Sequence, residues 1–533
     1  MALIIGVIIV FIFSKIVPYH MDEFAAYHPI MCLYYKANLF NNFRESCSAY
    51  NLNFINSGLI LPLRANYYVG SFQAILYLPL FILWKSPLSA RFLGYIFLLL
   101  QAIILGKIFK IKFEYLLGGF LIFFPYFFQH IVDTGPISYQ TTSIFLIYFL
   151  ILKWIKNLKI SYLIVITLLI FCGIFTKLSY FWLLPGLLLI FGWEIYKNKK
   201  SIFKYNNFRK LCLGFSFALL IFTLLFYFLF LSTNPSDSQS YPLIDEITKS
   251  PRSSLYTLSE LKEIKIFQMP IIKALINPLE ATQRIYANRV IEHLYIYDFF
   301  IFILLPFILI ILLYKGKIIF DENIGDLIIF YLSFIITIFF IMATKQAIAM
   351  HHLILAYPFL ILFSLKSINI LKNIQFKSSK TIRFQTIIIP YLALFCILNI
   401  YLYSILPKQT IDSQSDFSLI DINKILNNEQ LARDYLFVVV DGGMYYSQAL
   451  YGNINQSVIY IQPLDTENEI QALKDLSREN NRKLLFIYNQ KRLESDMNLV
   501  RKSFVLDRCK LISESSVWDI LLEKNNSRNI CFN

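Results

Sequence analysis

The sequence predicts a mainly α-helical, polytopic membrane protein of about 11–13 spans, one early helix lying at the interface, followed by a C-terminal extracytoplasmic α/β domain. Three observations lead there. The 533 residues are 57% hydrophobic and only 16% charged, with a mean hydropathy of +0.58, whereas soluble domains carry roughly 25% charge. Long apolar runs recur through the first three quarters of the chain. From Pro407 onward, charges become dense and apolar runs shrink to strand length.

The runs occupy 1–17, 67–84, 89–106, 113–130, 137–152, 161–175, 178–193, 211–231, 299–314, 327–343, 351–365 and 386–405. The first has no basic residue between Met1 and its apolar stretch and no clean small-x-small cleavage site, so it is read as a retained helix. A formal net charge of +15 raises the question of nucleic acid. Its Lys and Arg lie in short loops between apolar runs, not on one basic, aromatic-studded domain, and topology accounts for them better.

Worked backward from the C-terminus, the positive-inside rule gives a regular alternation. Lys366, Lys372, Lys377, Lys380 and Arg383 mark one cytoplasmic loop, and Lys197, Lys199, Lys200, Lys204, Arg209 and Lys210 mark another. Lys315 with Lys317, the cluster Lys153, Lys156 and Lys159, and the cluster Lys107, Lys110 and Lys112 fall on the same side. The N-terminus is then cytoplasmic in a plasma or inner membrane. The turn around Asp133, the link 176–179, the segment 232–298, the turn 344–350 and the tail after Leu406 are external. This count holds only if one early run does not cross. Run 67–84, rich in Tyr, carrying Pro79 and ending in Trp84 and Lys85, suits a helix in the interface.

Two regions follow: a membrane domain over 1–406 with external loops 18–88 and 232–298, and a soluble domain over 407–533. In the tail, 435–440, 457–461 and 484–488 read as buried strands, and 467–480 and 492–504 as helices. Asp441-Gly442-Gly443 follows the first strand as a ligand-contacting or simply tight turn. Cys172, Cys212 and Cys396 lie in apolar runs, while an oxidising exterior permits Cys32–Cys47 and Cys509–Cys531 bridges. The chain has no P-loop, dinucleotide fingerprint, HExxH or internal repeat.

Just outside the first helix, Pro18-Tyr19-His20-Met21-Asp22-Glu23-Phe24 puts two adjacent carboxylates about two helical turns from the membrane. A carboxylate beside lipid is harder to ionise unless paired, which is what a base for a hydroxyl needs. A solvated pair capping the next helix explains the same residues.

This arrangement resembles the GT-C superfamily of membrane glycosyltransferases, above all the branch with protein O-mannosyltransferases and lipid A aminoarabinose transferases. Further stretches resemble that branch in order. Asn66-Tyr67-Tyr68-Val69-Gly70 through Leu76-Tyr77-Leu78-Pro79, then Ser89-Ala90-Arg91-Phe92-Leu93-Gly94, is similar to its interfacial helix and membrane entry, without the His-Pro-Pro. Phe124-Pro125 before Asp133 is similar to its second external loop, and Thr176-Lys177 with Pro185 to its Thr-Lys helix. In His351-His352 before Tyr357-Pro358, histidine stands where the branch has arginine.

The resemblance implies transfer of a sugar from a polyprenyl-phosphate donor to a lipid, glycan or protein acceptor at the external face. Asp22 is then the general base, and Glu23 or Asp133 orients the acceptor or holds a divalent cation, with His20 and His28 near in sequence. A cation, if used, would take Asp22, Glu23 and His20. The departing phosphate needs positive groups: Lys85, Arg91, Lys177, Lys345, His351 and His352, with Arg284 and Arg289 in an amphipathic stretch of the long loop. Lys85 equally suits a snorkelling anchor. Other readings are an O-antigen polymerase or ligase, which would lean on Arg284, Arg289 and His293, and a lipid or glycolipid transporter.

Overall fold

The computed structural model describes residues 2–16, 27, 50–53, 60–64, 68–132, 135–231, 234–235, 322–344, 350–373, 397, 425–439, 458–460, 467–489, 502–503, 506–510 and 518–523. Helix dominates them. Four stretches, Leu88–Phe109, Leu178–Lys197, Phe208–Phe230 and Asn323–Ile341, hold 19 to 23 residues and are apolar enough to cross a membrane. At 1.5 Å per residue each reaches about 30 Å, the thickness of a hydrocarbon core. The chain divides into two units, one of Met1–Phe13, Arg91–Phe228 and Ile244–Gln409, the other of Ser14–Ala90, Leu229–Leu243 and Thr410–Asn533.

The first unit begins with most of α1 (Ala2–Ile16), where Gly6 leaves room for the Tyr95 ring and the Tyr95 hydroxyl donates to the Leu3 carbonyl at 2.8 Å. In the second unit, β1 (Tyr50–Asn53), β2 (Ile60–Arg64) and β3 (Asn234–Pro235) form an antiparallel sheet in the order β2-β1-β3. Arg64, at the end of β2, is fully buried with its guanidinium 5.0 Å from the Phe230 ring centroid. Helix α2 (Phe72–Leu83) has 12 residues. That is about 18 Å, too short to cross a bilayer alone.

Helix α3 (Pro87–Phe109) ends at Lys110, whose φ of 56° is the left-handed turn that stops the helix. The run expected at 113–130 is two helices, α4 (Phe113–Ile122) and α5 (Phe124–Val132). Pro125, in the first turn of α5, is the physical reason: it has no N–H to donate, so the hydrogen-bond ladder of α4 cannot run on through it. Helix α6 (Pro136–Asn157) starts with Gly135 as N-cap and Pro136 in the first turn, where a preset φ favours helix.

Helix α7 (Ile160–Thr176) runs into a 3-10 turn (Leu178–Leu183) and then α8 (Leu184–Lys197). Helix α9 (Tyr205–Phe226) closes with a π turn (Tyr227–Leu231). It leaves Leu213, Phe215, Phe217, Leu219, Leu220 and Leu224 exposed, a surface suited to lipid and not to water. Helix α10 (Glu322–Ala343), a 3-10 turn (Met350–Leu355) and α11 (Tyr357–Asn373) complete the unit as described. Helix α10 packs between α8 and α11. Gly186 on α8 lets the helices close up: a methyl there would meet the Phe359 ring at 2.9 Å, and the Ser333 hydroxyl donates to the Gly186 carbonyl at 3.1 Å.

In the tail, α12 (Glu429–Asp434) leads into β4 (Tyr435–Val439), followed by β5 (Val458–Tyr460), α13 (Glu467–Asn480), β6 (Lys483–Asn489), β7 (Leu506–Lys510) and β8 (Trp518–Glu523). The sheet order is β5-β4-β6-β8-β7, parallel through β5-β4-β6 and antiparallel through β6-β8-β7. β4 is buried along its whole length, as a central parallel strand should be. The stretches read as strands from sequence coincide with β4, β5 and β6. β7 and β8 carry charges between apolar residues and were not expected. The helix expected at 492–504 falls outside the described residues except for a helical 502–503.

Candidate functional site

Helix α6 opens with six successive residues bearing a hydroxyl or an amide, Ser138, Tyr139, Gln140, Thr141, Thr142 and Ser143, all buried. On one face, Thr141 and Thr142 meet Gln101 of α3 and His130 of α5. The Tyr126 hydroxyl donates to Gln101 Oε1 at 2.7 Å, and Gln101 Nε2 donates to Thr142 Oγ1 at 2.8 Å. His130 Nε2 lies 3.1 Å from Gln101 Nε2 and 2.8 Å from Thr141 Oγ1, while Nδ1 lies 2.7 Å from the Tyr126 carbonyl. A carbonyl can only accept, so Nδ1 carries the proton and Nε2 accepts from the Gln101 amide or Thr141. Every member has a partner, and the group ties three helices in an interior where an unmet polar atom would be costly.

On the other face of α6, Gln140 and Ser143 meet the end of α7. Gln140 Nε2 donates to the Lys177 carbonyl at 2.8 Å and the Gly173 carbonyl at 3.4 Å, and Ser179 Oγ donates to Gln140 Oε1 at 3.2 Å. Ser143 Oγ and the Tyr180 hydroxyl are 2.8 Å apart. Lys177 is the single extended residue between α7 and the 3-10 turn. The turn needs Gly173 because a methyl group there would stand 2.5 Å from the Tyr180 ring.

The same turn carries Trp182. Its indole Nε1 donates to Thr344 Oγ1 at 2.9 Å, just past the end of α10, and the His352 ring meets it edge-to-face at 5.0 Å. Beside α11, Tyr357 stacks on Phe123 at 5.4 Å and on Tyr126 at 6.3 Å. Thus the turns before α8, after α10 and before α11 converge at one end of the unit.

Ions gather at the opposite end of those helices. Lys197 Nζ lies 2.7 Å from both Glu194 Oε1 and Asp326 Oδ1, and Lys366 Nζ lies 2.6 Å from Asp326 Oδ2. Trp193 Nε1 donates to Asp326 Oδ1 at 2.8 Å. Two cations and two carboxylates balance, joining α8, α10 and α11. Lys197 and Lys366 share one end, and Trp182 and Thr344 share the other, which is the grouping the loop charges led us to expect.

Of the expected site residues, the structure brings Lys177 and His352 to the Trp182 turn; the side chain of His351 is outside the described residues. Arg91 is fully buried on the first turns of α3, and Lys85 is exposed in the link before it. Asp22, Glu23, Asp133, Lys345, Arg284, Arg289, His20, His28 and His293 lie outside the described residues, as do Asp441-Gly442-Gly443, Cys32, Cys47, Cys396 and Cys531. Cys172 and Cys212 are free thiols. Among the described residues no three His, Cys, Asp or Glu side chains gather as a metal ion would require. The residues suggested for a cation are not among those searched.

Sequence reading missed Gln101, His130, Gln140, Trp182 and Arg64. A signal existed for the first three: amides, hydroxyls and an imidazole within apolar runs have to find one another. No protein-family model matches the chain, and no curated protein matches it either.

Proposed function

We propose that this chain is a membrane glycosyltransferase that moves a sugar from a polyprenyl-phosphate donor to a lipid, glycan or protein acceptor. The reading sets the Trp182 end of the helices on the external face and the ionic end in the cytoplasm, with α2 at the interface and 407–533 as an extracytoplasmic α/β domain. One observation supports it above the rest: Lys177 opens the turn that carries Trp182, and the His352 imidazole meets that indole, at the end of the helices away from the self-neutralising ion cluster.

The chemistry asks little of an acid, since a phosphate is already a good leaving group. Asp22 takes the proton from the acceptor hydroxyl or amine as its oxygen or nitrogen bonds the anomeric carbon. The bond from that carbon to the phosphate oxygen breaks, and cationic side chains, Lys177 first, receive the freed phosphate charge. Glu23 and Asp133 orient the acceptor. A divalent cation, if held by Asp22, Glu23 and His20, would further neutralise phosphate charge.

The test replaces Asp22 and Asp133 separately by Asn in cells, with glycan mass spectrometry of the envelope. Loss of one sugar modification in the Asp22→Asn strain is expected, and wild-type glycans in both strains contradict the reading. If Arg284, Arg289 and His293 prove essential and Asp22 dispensable, the reaction is that of a polymerase or ligase.

A further inference from the structure

We infer that two turns at one end of the helical unit, the turn from α6 to α7 and the link from α8 to α9, form a single binding surface for an anionic phospholipid headgroup at the membrane edge. The inference goes beyond the transferase reading and does not depend on it. Far apart in sequence, the two turns are joined in the fold. Trp154 near the end of α6, Leu163 on α7, Ile202 in the link and Leu211 on α9 bury together in one apolar cluster, with Leu158 of the first turn packed against it. Around that cluster stand Lys153, Lys156 and Lys159 from the first turn, all exposed. Lys200, Lys204, Arg209 and Lys210 from the link and the start of α9 are exposed as well.

These cations meet no carboxylate in their own turns: Glu194, held by Lys197 at 2.7 Å, is the only Asp or Glu between 134 and 236. Gathering like charges costs free energy, and Lys204 caps the start of α9, whose first turn has no acidic residue although the helix dipole favours an anion there. A bound phosphate relieves both costs. The neighbouring rings suit the same partner. Phe203 and Phe208 are 58% and 44% exposed and stack at 5.6 Å, and the Lys199 ammonium lies 4.5 Å from the ring centroid of the exposed Tyr196. They stand where the apolar stretch Leu178–Lys197 ends and Phe208–Phe230 begins, the height at which aromatic rings meet the boundary of headgroup and acyl chain. A soluble polyanion would satisfy the cations and leave those rings in water, whereas a phospholipid takes both.

The test uses the purified full-length chain in a neutral detergent, titrated with cardiolipin, a phospholipid of two phosphates, and followed by native mass spectrometry. Phosphatidylcholine is the zwitterionic comparison. One variant combines Lys153→Gln, Lys156→Gln and Lys159→Gln, and a second combines Lys200→Gln, Lys204→Gln and Arg209→Gln. A third combines Lys107→Gln, Lys110→Gln and Lys112→Gln, equally exposed positions at the end of α3 and in its link to α4. Cardiolipin is expected to bind the wild-type chain roughly tenfold more tightly than phosphatidylcholine. Each of the first two variants is expected to lose roughly tenfold in cardiolipin affinity, a few-fold for each cation removed near a headgroup, and the third to bind as the wild type does.

Equal affinity of the wild-type chain for the two lipids overturns the proposal. So does a loss in the third variant as large as in the first two, since any positive loop would then serve, and so does a loss confined to one turn, since the turns would then not act as one surface. Pyrophosphate at the concentration of the lipid is expected to leave cardiolipin bound, and displacement by it would assign the cations to a soluble anion instead. Every substituted side chain is exposed, so the variants are expected to fold. Where one does not, the single changes Lys156→Gln and Lys204→Gln are expected to cost about two- to fivefold each beside an unchanged Lys112→Gln, and the same contradicting outcomes apply.

Discussion

Helices α8, α10 and α11 are joined at one end by ions and at the other by an indole, hydroxyls and an imidazole, and the two ends obey different physics. At the ionic end, Asp326 accepts from Lys197, Lys366 and Trp193, and Lys197 also reaches Glu194. Those charges satisfy one another, and the cluster is a fastening. At the other end, neutral hydrogen bonds from Gln140, Ser143 and Trp182 hold the backbone in place. Charge pairs thus fasten one end of these helices and neutral hydrogen bonds the other.

Breaking the ionic end should give the largest effect. Asp326→Ala leaves Lys197 and Lys366 facing each other with only Glu194 between two charges, and a broken buried pair costs about 3–5 kcal/mol. Unfolding of the purified chain in nanodiscs should register that loss, whereas a loss below about 1 kcal/mol would mean the cluster fastens little. Next comes Gly325, whose Cα lies against the Trp193 ring. Gly325→Ala drives a methyl into that ring and should cost about 1–3 kcal/mol in the same measurement.

At the turn end, effects on stability should be smaller. Trp182→Phe removes the donor to Thr344, whose hydroxyl still donates to the Phe340 carbonyl at 3.0 Å. About 0.5–1.5 kcal/mol of stability is expected to go, and polyprenyl-phosphate affinity should fall with it. The smallest change has the opposite sign. Lys110 is exposed with φ at 56°, so Lys110→Gly should raise stability by about 0.5 kcal/mol, the left-handed strain relieved less the added freedom of the unfolded chain.

Much of the first region was legible in the sequence because a single physical signal dominates it. Apolar length marked Leu88–Phe109, Leu178–Lys197, Phe208–Phe230 and Asn323–Ile341, and loop charge grouped Lys197 with Lys366. Hydropathy sums over a window, so it passed over Pro125 and merged α4 with α5. It also hid Gln140, since one amide hardly alters the average of an apolar run, and only the fold reveals that its partners are the carbonyls of Gly173 and Lys177. In the tail, Tyr435–Val439 was readable as a run of buried strand residues. Leu506–Lys510 was not, because an edge strand with Asp507, Arg508 and Lys510 looks locally like a solvated loop.

The most direct test of the account is donor turnover. The full chain would be reconstituted in nanodiscs with a panel of polyprenyl-phosphate-linked sugars and envelope membranes as the source of acceptor, and polyprenyl phosphate release followed by mass spectrometry. The account predicts release from one donor by the wild-type chain, abolished in Asp22→Asn and retained in Asp326→Asn wherever that variant folds. Donors left intact by the wild-type chain, or turnover undiminished in Asp22→Asn, would contradict it.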